Sequence, residues 1–385
     1  MRTVHPSIII GSYVWDEAWL PRDEFQIRTA ALNRAMDEHG WKAVLIYGDA
    51  RDSAALAYFS NFIPRVRWGM ALLPRQGEPR LLCSMSSRDM PGMRLMTWIP
   101  DVHSGWEWER NFDSWLAGIA GAETVEFGTI GFDLMQPTLA EQLAKSLGNR
   151  VRLVAADTLL PADRALRPRE LSLLREGTEI TNDAAAALLD AWRAGEGAEA
   201  AALEGERHAR AKAAQDVRTL VSLDGGQSLA PLSGAFAAKT GALLAYIAVQ
   251  TMGFWSEIFV TDAAKAPAML KRAEAGLAAL LAAARPDARA AALHAAAVAP
   301  LGSRALHPVL SGSVGRRIGL GLDEGGTLTK DGDAVLRAGQ VYGFHVGGWD
   351  EAEGAAIVSA VAEITAAGAR VLCSSADARQ RGRQR

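Results

Sequence analysis

The sequence predicts an α/β chain of two domains, and three observations carry that prediction. Up to residue 163, short apolar strands alternate with helical patterns. Beyond that point the composition shifts to long alanine-rich helices with apolar, β-type runs between them. A chain of 385 residues is also longer than one hydrophobic core usually organises. The boundaries read as 1–163 and 164–375, followed by a basic tail over 376–385 that is expected to fray.

Each element follows from its local pattern. Apolar residues at helical spacing over 25–38 give a first helix, and Lys42-Ala-Val-Leu-Ile-Tyr-Gly48 is a continuous apolar run that suits a buried strand. Residues 68–73 and 80–83 flank the polar turn Pro74-Arg-Gln-Gly-Glu-Pro79 and read as a β-hairpin. A helix over 138–147, stopped by Gly148, precedes a strand over 151–155. In the second domain, residues 170–192 form a long amphipathic helix, and alanine-rich helices follow at 196–214, 267–284 and 288–298. Strands are predicted at 243–250, 254–261, 340–348, 355–365 and 369–373. The sequence has no internal repeat.

Composition excludes several function classes. Hydrophobic residues at 49% and charged ones at 22% mark a globular chain. A net charge of −3 gives no electrostatic case for a nucleic-acid partner. Trp98, Trp106, Trp108 and Trp115 are accompanied by few basic residues, so they are not a stacking platform for bases. They are expected at a domain or subunit interface, with one tryptophan at a pocket mouth. Cys83 and Cys373 are too few for a disulfide framework or a zinc ribbon. No run reaches transmembrane length, and Ile8-Ile9-Ile10 is too short for a secretory apolar region. The expectation is a cytoplasmic protein with no membrane partner.

Five stretches in order carry a family resemblance. They are Leu166-Arg-Pro-Arg-Glu-Leu-Ser-Leu-Leu-Arg-Glu176, Gly253-Phe-Trp-Ser-Glu-Ile-Phe-Val-Thr261, Val314-Gly-Arg-Arg-Ile-Gly-Leu-Gly-Leu-Asp-Glu-Gly-Gly326, Leu336-Arg-Ala-Gly-Gln-Val-Tyr342, and the segment 354–368. Together they resemble the creatinase/aminopeptidase P family, over residues 20 to 373. The resemblance implies a creatinase-like N-terminal α/β domain, then a pita-bread domain of curved antiparallel sheet with flanking helices.

The family's metallopeptidases hold two divalent ions through two Asp, one His and two Glu. By the resemblance, the first Asp falls at Tyr246 or, with a one-residue gap, at Ile247. The second falls at Glu257, the His at Arg316, and the two Glu at His345 and Ser359. A guanidinium has no lone pair to give, and a hard dication needs oxygen donors. The expectation is therefore no bound metal and no cofactor.

A metal-free member of the family, creatinase, relies on a histidine and carboxylates instead. The segment where that histidine would lie, Gly225-Gly-Gln-Ser-Leu-Ala-Pro-Leu-Ser233, has none. The remaining polar set is Glu257, His345 and Arg316 as catalytic candidates. Tyr246, Asp323, Glu324, Trp255, Arg65 and Arg67 are candidates for binding substrate. A neutral histidine beside a buried carboxylate can serve as a general base, and an arginine can clamp a substrate carboxylate. Family members are commonly homodimers, and Pro64-Arg-Val-Arg-Trp68 matches the segment that reaches a neighbour's pocket. Plainer readings stand beside these. Glu257 and Arg316 form a buried ion pair filling a former metal cavity, His345 is a core histidine, and His307 and His294 are structural. The leading expectation is a metal-independent hydrolase or lyase cleaving a C–N or C–X bond in a small carboxylate-bearing substrate. The alternative is a catalytically silent protein binding a ligand or partner, and a metal-dependent Xaa-Pro peptidase comes third.

Overall fold

The computed structural model describes residues 14–381 other than 121, 122, 162, 235, 240 and 263–266. Ile8–Ile10 and the last four residues of the basic tail lie outside them. The chain divides into two compact units, Met1–Pro161 and Ala162–Arg385.

The first unit is built on one mixed sheet. Its strands are β1 (Ala43–Asp49), β2 (Trp68–Pro74), β3 (Arg80–Cys83), β4 (Asp101–Ser104), β5 (Val125–Ile130) and β6 (Val151–Ala155). The spatial order is β4-β3-β2-β1-β5-β6, with the pairs β1–β2 and β2–β3 antiparallel and the other pairs parallel. Every residue of β1 is buried, as its unbroken apolar run requires.

The tryptophan-rich segment departs from expectation. Trp108 and Trp115 lie on the buried face of the amphipathic helix Trp108–Ala120, packed with Phe112 and Phe127 in the unit's core. Trp98 donates its indole N–H to the Phe59 carbonyl, and Trp106 alone is largely exposed, at 63%. Helical spacing of 108, 112, 115 and 116 explains this, since it puts all four on one stripe facing the sheet.

The second unit holds two four-stranded sheets. One is formed by β7 (Asp216–Val221), β8 (Ala230–Pro231), β9 (Leu243–Thr251) and β10 (Phe254–Asp262), in the order β10-β9-β7-β8. The other is the run β11 (Gly315–Arg317), β12 (Val341–Asp350), β13 (Gly354–Thr365) and β14 (Gly368–Ser374). All their pairings are antiparallel. Side chains stitch β10 to β13: the Thr261 hydroxyl donates to the Ile357 carbonyl and accepts from the Ile357 N–H, and the Phe259 N–H donates to Ser359 Oγ at 2.7 Å.

Helices Pro168–Arg193 and Ala198–Ala211 cover the first sheet through an alanine-rich core, and helices Ala268–Ala283 and Ala290–Val298 cover the second. Small alanine side chains let these helices approach the strands closely. The basic tail is not frayed where it is described. Residues Ser375–Arg381 form a helix whose Ala378 is fully buried, while Arg381 pairs with Glu179 and Asp183. No helix among the described residues is long and apolar enough to cross a membrane. Both cysteines are buried thiols.

Candidate active site

One face of the second unit gathers most of the candidate residues. Strand alternation puts Leu244, Tyr246 and Ala248 of β9 on the same side as Trp255, Glu257 and Phe259 of β10, because Tyr246 pairs with Phe259 and Ala248 with Glu257. Apart from Glu257, these residues form with Leu310 and Ile357 a small apolar cluster of their own, separate from the helix-covered cores.

Glu257 sits in this apolar setting and is only 2% exposed. Its Oε2 accepts from the Tyr246 hydroxyl at 2.6 Å and from Arg316 Nη2 at 2.6 Å. Its Oε1 is buried with no hydrogen-bond partner. Burial raises the Glu257 pKa above the ordinary carboxylate value, against the opposing pull of the Arg316 charge and the Tyr246 hydrogen bond. Arg316 is aimed by its second contact, Nε to the Leu322 carbonyl at 3.1 Å.

Glycine at 343 makes the arrangement possible. Gly343 pairs with Arg316, and a Cβ there would lie 2.4 Å from Glu257 Oε1. Two residues further along β12, His345 pairs with Ser359 and stands edge-on to Phe259, 5.8 Å between ring centroids. Burial, and then the Arg316 charge, push the His345 pKa down to about 3, so the ring is neutral at ordinary pH. Ser359 is taken up by the stitch between strands, accepting from the Phe259 N–H.

The other candidates divide. Trp255 lies in the cluster, with the Arg218 guanidinium 4.4 Å from its ring centroid. Asp323 and Glu324 spend their carboxylates on the glycine loop itself, accepting from the Gly325 N–H at 2.8 Å and the Gly321 N–H at 2.9 Å. Arg65 and Arg67 belong to the first unit, where Arg67 has a left-handed backbone at φ 56°. His307 is fully buried and structural: Nε2 meets the Gly226 carbonyl at 2.6 Å while Nδ1 accepts from the Val309 N–H. Arg218 was not singled out in the sequence. The alternation Asp216-Val-Arg-Thr-Leu-Val221, with Val217 and Val221 buried, was the signal that a strand places it on this face.

The donor set does not fit a pair of divalent ions. Of Tyr246, Glu257, Arg316, His345 and Ser359, one is a carboxylate, and a guanidinium already occupies its Oε2. Among the described residues, no three His, Cys, Asp or Glu side chains cluster as metal ligands.

Comparison with known proteins places this geometry. Residues 172–366 match the family model described as metallopeptidase family M24, and residues 28–166 match the creatinase/prolidase N-terminal domain. No curated protein matches the sequence. Among solved structures, the X-Pro aminopeptidase from Thermotoga maritima superposes with a TM-score of 0.73 at 16% identity, over 90% of this chain and 97% of that one. The prolidase from Pyrococcus horikoshii gives 0.70 at 17% identity, again over 90% and 97%. The Xaa-Pro dipeptidase from Bacillus anthracis gives 0.68 at 14%, with the same coverage.

Proposed function

Because this chain belongs to metallopeptidase family M24 by a match covering just over half its length, we propose that it acts as a peptidase-class hydrolase on short Xaa-Pro peptides. The ligand is taken on the face lined by Tyr246, Trp255, Glu257 and Phe259. This replaces two expectations. The metal-independent hydrolase or lyase of creatinase type, and the silent binding protein, are overturned by the family match and by relatives that are prolidases and Xaa-Pro peptidases. Charge counting reads five positions, whereas the family match draws on residues 172–366 of the second unit.

The match over residues 172–366 carries the reading, and the chemistry of the face supports it. Its apolar floor suits a proline ring, whose tertiary amide offers no N–H that would need a partner there. Glu257 is a carboxyl of raised proton affinity, able to hold a proton at Oε1, the oxygen that has no partner. Arg316 fixes that carboxyl in place. Because the donor set does not fit two divalent ions, no step is routed through metal.

The test is calorimetric titration of an Xaa-Pro dipeptide against its Xaa-Ala counterpart. Hydrolysis of both is followed with the protein as purified and with added Mn²⁺. The expected result is binding and cleavage that favour Xaa-Pro. Equal behaviour of the two peptides, or no engagement of either, overturns the proposal.

A further inference from the structure

The candidate site is shared between two sheets that have no strand pairing with each other among the described residues. Tyr246 and Glu257 belong to the sheet of β9 and β10, whereas Arg316 and His345 belong to the sheet of β11 and β12. Two contacts therefore cross from one sheet to the other. They are Arg316 Nη2 to Glu257 at 2.6 Å, and the Phe259 ring against His345 at 5.8 Å. The seam between β10 and β13 governs both.

Strand β10 is the last in its sheet, and an edge strand leaves backbone groups without ladder partners. Three buried hydroxyls take up such groups along the seam. Thr261 donates to the Ile357 carbonyl at 2.9 Å and accepts from the Ile357 N–H at 3.0 Å. Ser359 accepts from the Phe259 N–H at 2.7 Å. Ser375 closes the set, donating to the Phe259 carbonyl at 2.7 Å while accepting from the Ser359 N–H at 2.7 Å. A hydroxyl has one proton to give, so the Ser359 carbonyl, at 3.1 Å, is the longer alternative for it. Phe259 is thus held by hydroxyls at both its N–H and its carbonyl.

Ser375 belongs to neither strand. It opens the helix Ser375–Arg381, which is tied to the helices over both sheets. Arg379 pairs with Glu274 on the helix that covers the second sheet. Arg381 pairs with Glu179 and Asp183 on the helix that covers the first, and Ala378 packs into the core there. Arg193 links the same helix to β10, with Nη1 to the Arg379 carbonyl at 3.4 Å and Nε to Asp262 at 2.9 Å. Each surface ion pair contributes little alone. Together they hold one short helix from two sides, and its first residue is the fully buried hydroxyl in the seam.

We propose that Ser375 is a positioning residue for the candidate site. By joining β10 to β13 it sets the distance at which Arg316 meets Glu257 and fixes Phe259 in the floor of the face. The helix Ser375–Arg381 is then a strap on which the geometry of the site depends. The part that concerns ligand selection rests on the Xaa-Pro reading above, and the part that concerns Glu257 does not.

The test is Ser375→Ala, which leaves the Phe259 carbonyl and the Ser359 N–H without their hydroxyl. Two measurements are made that a purely structural role would not move. The first is the titration of the Glu257 carboxyl, followed by carbon-13 chemical shift without ligand. The Arg316 charge opposes the upward shift of this group, so a loosened seam should move its pKa further up. The second is the ratio of Kd values for an Xaa-Pro dipeptide and its Xaa-Ala counterpart. The preference for Xaa-Pro should fall by about twofold to tenfold, the range that one hydrogen bond supports. A variant that is only less stable, with the Glu257 titration and the ratio both unchanged, overturns the proposal. If the wild type does not distinguish the two peptides, the Xaa-Pro reading falls, and the Glu257 titration alone decides the role of Ser375. Should Ser375→Ala fail to fold, Ser375→Cys, whose thiol is a weak donor, decides by the same measurements.

Discussion

Replacing His345 by Gln isolates one proton in the acid response of the second unit. The folded protein holds this ring neutral, with its pKa pushed down to about 3 by burial and by Arg316, whereas the unfolded chain takes up the proton near 6.5. A folded pKa below the unfolded one means that the stability is intact above pH 6.5 and is lost as pH falls toward 3. Between those limits the unfolded state binds one more proton, which costs about 1.4 kcal/mol of stability per pH unit. At pH 4.5, two units below the unfolded value, the wild type should have lost about 2.7 kcal/mol through this residue alone. The ceiling near pH 3 is about 5 kcal/mol. Burial also depresses His294 and His307, but both titrate alike in wild type and variant and cancel in the difference. The assay is urea unfolding followed by tryptophan fluorescence at several pH values from 7.5 to 4.5. The difference in unfolding free energy, variant minus wild type, should grow steadily in favour of His345→Gln as pH falls. Parallel curves would refute the claim that the ring is buried and neutral.

The remaining predictions concern the groups around Glu257. Gly343→Ala places a Cβ 2.4 Å from Glu257 Oε1, so it should displace the carboxylate, cost about 1–3 kcal/mol in thermal or urea unfolding, and weaken peptide binding measured by calorimetry. Arg316→Ala strands the buried Glu257. Because the Arg316 side chain is 23% exposed, the loss at pH 7 should fall at the low end for a broken buried pair, about 3 kcal/mol, and should shrink as acid neutralises the carboxyl. Tyr246→Phe removes a hydroxyl that donates to Glu257 at 2.6 Å, which should cost about 1.5–3 kcal/mol in unfolding experiments. It should also move the Glu257 pKa further up, read by carbon-13 chemical shift.

Much of the fold could be read from local pattern. The strands predicted at 243–250 and 254–261 are observed as Leu243–Thr251 and Phe254–Asp262, and the helix predicted at 170–192 as Pro168–Arg193. Long apolar or amphipathic runs bounded by Gly or Pro leave few alternatives. β4 was missed because its four residues sit inside a segment whose tryptophans drew attention to surfaces instead. The docked tail was missed for a different reason. Arg381 pairs with Glu179 and Asp183, and Arg379 with Glu274, all far earlier in the chain, and local charge cannot report such partners.

The site was legible as residues but not as states. Glu257, Arg316 and Tyr246 do converge, yet nothing in the sequence says that Asp323 and Glu324 accept from loop amides instead. That distinction depends on which hydrogen bonds are already made. The family match over residues 172–366 also corrected the functional inference, which had rested on five positions assigned by resemblance alone.

The account stands on an Xaa-Pro peptide taken up at the face of β9 and β10 that holds Glu257, and a crystal structure with a saturating Xaa-Pro dipeptide tests that most directly. The predicted result is a ligand whose proline ring rests against Tyr246, Trp255 and Phe259. A dipeptide bound elsewhere, or this face left empty at saturation, would contradict it.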